Sequence, residues 1–403
     1  MPWTTTEHSP NTLTRPLGPN EVFIKLVSDI GHPLGREHWA VNYTVTIRPR
    51  GEFAADLLPT LIRHSWLHLR FQHPSLAAHP DSSDANLVYT VPESADTLNQ
   101  WASQTFFIKS DAQSADDVIR TIAPALDAQL YYIPKSSQLL LHTAHWRTDG
   151  VGGFLLLGQL VDLMASHADT LLSGSLPDPF DACAWGTETT RLSPSVEEAG
   201  NMPLTPTDEQ KAIAQEAVGT FAHVQGARRH YTSTIRHTLR PYMPEPYSGP
   251  AGAATLFTTG WMYRVDPTSS WEENARKYHA EYRRGLSKEY LLAHREYATM
   301  LVGLLRNLPA PEEPPSDFDI SSLGVLEKYL QREYGSPKSG FSILHAGLGV
   351  EMLARQGVVY VWTFRDQLTL RVVFNEAYHT EEQMWEFLRD VKADLLRELG
   401  VKE

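Results

Sequence analysis

The sequence predicts a mixed α/β protein, with both helices and mixed sheets, arranged as two lobes of similar make-up. Three observations carry this. The chain has 403 residues, enough for two domains or one large two-lobed unit. Both halves combine period-2 strand patterns with helical stripes. Between them, residues 173–206 are rich in Ser, Pro, Gly and Glu, the composition of a crossover or linker.

Taken in order, residues 1–20, with Pro10, Pro16 and Pro19, read as a loose arm. The first lobe is expected over 21–172. In it Val41, Tyr43, Val45 and Ile47 alternate with polar residues as a strand does. Residues 52–71 place Leu57, Leu58, Leu61, Ile62, Leu67 and Leu69 at helical spacing, and His73-Pro74 ends that helix. Short strands are expected over 87–91 and 105–108, and a helix over 116–126. The runs 129–133 and 138–142 flank the turn residues Pro134–Ser137 and form a hairpin. Residues 152–164 make a helix apolar on every side, hence a buried one.

The second lobe, 207–403, opens with a helix over 207–223. A strand follows, ending at Pro241, and another spans 256–265. Helical patterns fill 270–305 with a break near Gly285, and an extended segment from Asp317 turns helical around Val325. Strands are expected over 341–344, 358–364 and 368–374, the last two joined by Arg365-Asp366-Gln367. Thr380 and Gln383 give a capping-box signal for the closing helix. Between Arg191 and Tyr231 the sequence shows one helix and no convincing strand.

Hydrophobic residues make up 42% and charged residues 21% of the chain, ordinary globular usage that permits a large core. The formal net charge is -13 and no Lys/Arg block exists, so nucleic acid is not an expected partner. Cys183 is the only cysteine, which forbids an internal disulfide and fits a reducing compartment. The first residues lack the pattern of a secretory signal, and no run approaches about 18 uninterrupted apolar residues. A cytoplasmic monomer without membrane association is the expectation.

The most informative stretch is Leu139-Leu140-Leu141-His142-Thr143-Ala144-His145-Trp146-Arg147-Thr148-Asp149-Gly150-Val151-Gly152-Gly153. A histidine at the end of a buried strand, followed by a carboxylate and a glycine cluster, suits a general base, because imidazole titrates near neutrality. Gly150, Gly152 and Gly153 allow close backbone approach, and their N–H groups open a helix that could stabilise an oxyanion. Other readings of the same residues stay open. A histidine on a strand is usually a hydrogen-bonded core residue. His142, His145 and Asp149 could hold a metal, although no second His/Cys cluster at metal spacing supports this and no metal is expected. Serine-based hydrolysis lacks a Gly-x-Ser-x-Gly elbow, and Gly324 and Gly349 belong to no phosphate-binding fingerprint.

Residues 144–150 resemble the His-x-x-x-Asp-Gly signature of coenzyme-A-dependent acyltransferases, the superfamily of BAHD, carnitine and chloramphenicol acyltransferases and peptide-synthetase condensation domains. A closer resemblance is to fungal trichothecene 15-O-acetyltransferases. It rests on Trp185-Gly186-Thr187-Glu188, Arg191-Leu192-Ser193-Pro194, His230–Arg236 with Leu239-Arg240-Pro241, Phe257–Met262 and Ser321-Ser322-Leu323-Gly324. These segments span most of residues 40–395.

The resemblance implies two chloramphenicol-acetyltransferase-like lobes with a tunnel at their interface, acetyl-coenzyme A as acyl donor and a hydrophobic alcohol as acceptor. It gives His145 the role of catalytic base. Asp149 becomes a structural residue that points away from substrate and pairs with Arg236, with Gly150 completing the motif. Trp146, Arg147 and Trp261 are the candidate substrate contacts, although packing accounts for each equally well, and for Trp261 better. Three departures separate the chain from its relatives: Ala144 stands where condensation domains carry a second histidine, Asp317-Phe318-Asp319 only begins to match the BAHD Asp-Phe-Gly-Trp-Gly motif, and the region between Arg191 and Tyr231 is short beside the strand and further helix that the family carries there, so the second lobe is expected to be shortened at its start. The expected function is O-acetylation of a fungal secondary metabolite, with a trichothecene-like sesquiterpenoid as one candidate acceptor. The competing readings are a same-fold cyclase or pericyclase-type enzyme without acyl transfer, and a non-catalytic remnant.

Overall fold

The computed structural model describes residues 2–6, 9–51, 53, 55–224, 231–266, 268–307 and 316–401. His230, in one of the resemblance segments, lies outside the described residues. The amino-terminal half holds strands β1 (Thr4–Thr6), β2 (Ser9–Pro16), β3 (Val41–Gly51), β4 (His79–Pro80), β5 (Asn86–Thr90), β6 (Phe106–Ile108), β7 (Gln129–Ile133) and β8 (Gln138–Thr143). Its helices are α1 (Pro19–Asp29), α2 (Leu58–Gln72), α3 (Ala95–Thr105), α4 (Ala115–Ile119) and α5 (Gly150–Leu172). Two single turns follow, α6 (Pro179–Ala182) and α7 (Val196–Ala199). The carboxy-terminal half adds helices α8 (Asp208–Val224), α9 (Trp271–Arg284), α10 (Lys288–Asn307) and α11 (Glu381–Glu398). Its strands are β9 (Tyr231–Thr238), β10 (Thr258–Val265), β11 (Phe318–Val325), β12 (Glu333–Gly335), β13 (Ser339–Val350), β14 (Gly357–Phe364) and β15 (Gln367–Val373).

The main core lies on a six-stranded sheet of order β12-β13-β3-β8-β7-β6. Tyr43, Val45, Leu139 and Leu141 on one face pack with Leu61, Trp66, Phe154 and Leu157 of α2 and α5. The other face is also covered, by Ala115 and Val118 of α4 against Tyr131, Ile133 and Leu140. Burial on both faces explains why the alternation in β3 and β8 is incomplete: Asn42 and Thr44 are buried as well. By length and composition α5 could cross a bilayer. Here much of its surface is buried in this core instead.

Strands β12 and β13 come from the carboxy-terminal half, yet β13 pairs along its length with β3. The expected 207–403 lobe therefore lends two strands to the sheet of the first. The rest of that half builds the β9–β10 pair and the three-stranded sheet β11-β14-β15. Thr234 N–H donates to Asp319 Oδ1, placing β9 beside β11.

Two segments depart from expectation. The supposed loose arm forms β1 and β2, in a four-stranded sheet with β4 and β5. Pro10 and Pro16 sit near the two ends of β2, where they cost little, and Arg15 is buried in a two-point ion pair with Glu21 at 2.7 and 2.8 Å. Residues 173–206 are anchored by two buried carboxylates: Glu188 accepts from Tyr89 Oη at 2.8 Å, and Glu197 from the Asn20 N–H at 2.8 Å. The helix expected over 116–126 is confined to Ala115–Ile119.

Candidate active site

β8 ends at Thr143, and Ala144–Arg147 make a turn closed by the Arg147 N–H on Ala144 O. That turn projects His145 into a cavity of about 570 Å³ between the two halves of the chain. Ile24, Trp39 and Val41 line it from the amino-terminal half. Arg236, Tyr282, Ser322 and Tyr360 line it from the other. Tyr282 Oη is buried there beside the Ser322 side chain.

The His145 imidazole is only partly accessible. Its Nδ1 is buried with no partner in hydrogen-bond geometry, which leaves Nε2 toward the cavity. Burial is the largest influence on its pKa and lowers it from the ordinary 6.5. The carbonyls of His145 and Thr148 and the Asp149 charge oppose that shift, and Arg236 adds to it.

Asp149 is withdrawn from this chemistry. It is the N-cap of α5, accepting from the Val151 and Gly152 N–H groups at 3.1 and 3.0 Å. Its other oxygen accepts from the Phe257 N–H at 2.7 Å. The predicted Asp149–Arg236 pair does not form. Arg240 Nη1 holds Asp149 at 2.6 and 2.8 Å, while its Nη2 donates to Gly252 O and Thr255 O. The reason is local. β9 stops at Thr238, and the 3-10 turn Arg240–Tyr242 swings Arg240 into the interior. Arg236, still within the strand, faces the cavity. It pairs with Asp319 at 3.0 Å and lies 5.3 Å over the Trp39 ring.

The glycines serve packing. A Cβ on Gly153 would lie 2.1 Å from the Tyr43 ring, and one on Gly152 would lie 2.4 Å from Ala253 O. The Gly152 N–H is already taken by Asp149, so the expected oxyanion role does not extend to it. Gly150 is at the cavity wall.

The three candidate substrate contacts lie elsewhere. Trp146 is buried among Leu17, Ile24, Leu87 and Leu256. Arg147 is buried beneath it, donating to Thr143 Oγ1, Ala78 O and Leu126 O. Trp261 packs edge-on against Tyr290. None of them is among the cavity residues. His142 is a satisfied core histidine, its Nδ1 2.8 Å from Asn42 Oδ1 on the paired strand, which removes it from any metal set with His145.

Sequence reasoning missed Trp39. Its ring stands 6.3 Å from that of His145, and its backbone is left-handed at φ 63°. Such a conformation is costly for a bulky residue and concentrates at functional sites. Nothing in the sequence around Trp39 signals it.

The architecture is the chloramphenicol-acetyltransferase-like fold, and named acetyltransferase relatives mark the chain as an acyltransferase. The chain is similar to the trichothecene 15-O-acetyltransferase TRI3 of Fusarium sporotrichioides, with a TM-score of 0.73 over 96% of this chain and 95% of that one, at 18% identity. The chain belongs to the family of acetyltransferase pigO of Monascus ruber. The two are 36% identical over 469 aligned positions that take in 100% of this chain and 99% of the relative. That span exceeds the 403 residues here, so the relative carries residues without a counterpart in this chain. O-acetyltransferase pigM of Monascus ruber is 25% identical over 96% of this chain and 85% of its own length. No family model matches the chain.

Proposed function

We propose that this acyltransferase moves an acetyl group from acetyl-coenzyme A to a hydroxyl of a fungal secondary metabolite, with His145 as general base. One observation carries the reading: the neutral imidazole presents Nε2 to a cavity that opens between the two halves of the chain, while its neighbouring carboxylate is fully engaged in the fold. A volume of about 570 Å³ lies within the range of small-molecule sites. Apolar lining from Ile24, Val41, Leu348 and Val358 suits a hydrophobic alcohol, of which a trichothecene-like sesquiterpenoid is one type. The exposed Arg283 and Arg284 at another part of the wall suit the phosphates of the donor.

In this mechanism Nε2 removes the alcohol proton as the oxygen attacks the thioester carbonyl. The tetrahedral intermediate collapses with cleavage of the carbon–sulfur bond. The imidazolium returns its proton to the departing thiolate, leaving ester and free coenzyme A. No acyl-enzyme is formed. Tyr282 Oη, buried on the cavity wall beside Ser322, is the proposed donor for the developing oxyanion. A cytoplasmic setting belongs to the same proposal, supported by the absence of any second cysteine for a disulfide.

The test is a steady-state assay with acetyl-coenzyme A and a panel of terpenoid and polyketide alcohols, alongside calorimetry with coenzyme A. His145→Ala should lower turnover by about a hundredfold or more. Nearly full activity in that variant would remove His145 as the base. Absence of coenzyme A binding would remove the donor.

A further inference from the structure

A second group of histidines lies away from the cavity. His64 and His68 stand one turn apart on α2, and His167 comes from α5. Their rings form a nearly equilateral triangle, with centroid separations of 4.5, 4.6 and 4.6 Å. One ligand nitrogen from each lies within 4.8 Å of the other two. His64 Nε2, His68 Nε2 and His167 Nδ1 are buried and lack a hydrogen-bond partner among the described residues. Buried polar atoms are almost always satisfied, so three orphaned ring nitrogens in one place require a cause.

Cys183 supplies a further observation. Its Sγ lies 3.7 Å from His68 Nδ1, so His68 is held from one side and turns Nε2 the other way. An outer contact of this kind fixes ring orientation and tautomer in metal sites. Burial keeps all three rings neutral near pH 7, pushing His64 to about 3, His68 to about 4 and His167 in the same direction. Three neutral imidazoles suit zinc and its transition-metal neighbours rather than magnesium or calcium. With zinc–nitrogen bonds of about 2.0–2.1 Å, tetrahedral ligand nitrogens stand roughly 3.4 Å apart, within reach by small ring rotations.

We propose that His64, His68 and His167 bind a divalent transition metal of the zinc class, with solvent at the fourth position. The metal pins α2 to α5 and, through Cys183, to the segment that follows α6. His167 lies roughly 25 Å down α5 from Gly150 at about 1.5 Å per residue. The site is therefore separate from the acyl-transfer chemistry, and it does not depend on the proposal for His145.

The test uses tag-free full-length protein stripped with a chelator and returned to metal-free buffer. Zinc chloride is titrated by calorimetry, and cobalt(II) by its visible d–d absorption. The expected result is one equivalent of zinc per chain, a tetrahedral cobalt spectrum and a higher melting midpoint with zinc. His167→Gln and His64→Gln should each abolish stoichiometric binding, and Cys183→Ser should weaken it by about 10–100-fold. Absence of stoichiometric zinc binding to the wild type overturns the proposal. So does retention of full binding in both histidine variants. The wild-type titration decides the matter even if a variant fails to fold.

Discussion

Two arginines four residues apart reach the centre of this molecule and do opposite things there. Arg240 and Asp149 are each 4% exposed at the side chain, locked together and to the backbone of residues 252–257. Arg236 and Asp319 are 31% and 26% exposed, and their pair borders the cavity. The first pair joins the turn of the histidine motif to the second half of the chain, so its energy holds the fold. The second leaves a cation near His145 and against Trp39, so its effect falls on the imidazole proposed as the base. The same division runs through the motif itself: Asp149 has its hydrogen-bonding capacity taken up by the fold, whereas His145 keeps an unengaged nitrogen. Groups whose capacity is used up by the protein build the site, and those left available act in it.

The largest break in this comparison should come from Arg240→Met. It strands the Asp149 carboxylate in the interior, and removing one partner of a buried pair costs about 3–5 kcal/mol. That is a large share of the roughly 5–15 kcal/mol that keeps a domain folded. Thermal and denaturant unfolding should show a marked loss, and an unchanged midpoint would mean that Arg240 is not the structural partner. Gly153→Ala should come next, at about 1–3 kcal/mol by overpacking. The added methyl meets the Tyr43 ring, and Tyr43 Oη donates to Asp149 O at 2.7 Å, so the motif turn moves with it. Unfolding measurements would again decide. A neutral effect would show that Tyr43 can yield.

How much of this was legible follows from which signals are local. The strands β3, β7, β8, β14 and β15, the helices α2, α8 and α11 and the break between α9 and α10 at Gly285 follow from short-range periodicity, caps and turn residues. The entry of β13 into the first sheet does not, because pairing across some 300 positions leaves no mark in either strand. His145 and Asp149 stood out in one local motif. The partner of Asp149 was misread because the resemblance gave that role to Arg236, and strand alternation does not separate residues 236 and 240. The end of β9 at Thr238 cancels that inference, and Pro241, visible in the sequence, was the available warning. Trp146, Arg147 and Trp261 were drawn toward the site by sequence proximity or family segment, yet their surroundings bury them in packing. The His64-x-x-x-His68 spacing was readable on α2. Its third member lies about a hundred residues on, and only the packing of α5 against α2 joins them.

Smaller effects should separate the cavity pair from the buried one. Arg236→Gln removes a partly exposed ion pair, so stability should change by less than about 1 kcal/mol. Its signature is in the pH profile. The His145 pKa is lowered from 6.5, so the wild-type enzyme should keep its base form below that value and lose kcat/KM only as the imidazole protonates at lower pH. Arg236 contributes to the lowering, so the variant's acidic limb should move to higher pH. A limb that stays in place would detach Arg236 from His145.

Asp319→Asn should give the smallest effect, and the opposite one. Asp319 partly compensates the Arg236 charge at 3.0 Å. Without it the guanidinium acts on His145 with less opposition, protonation becomes harder, and the acidic limb should shift down by a fraction of a pH unit. Opposite shifts in the two variants, with little loss of stability in either, would place the pair in the electrostatics of the base. Shifts of the same sign would instead indicate that both substitutions merely loosen the β9–β11 edge.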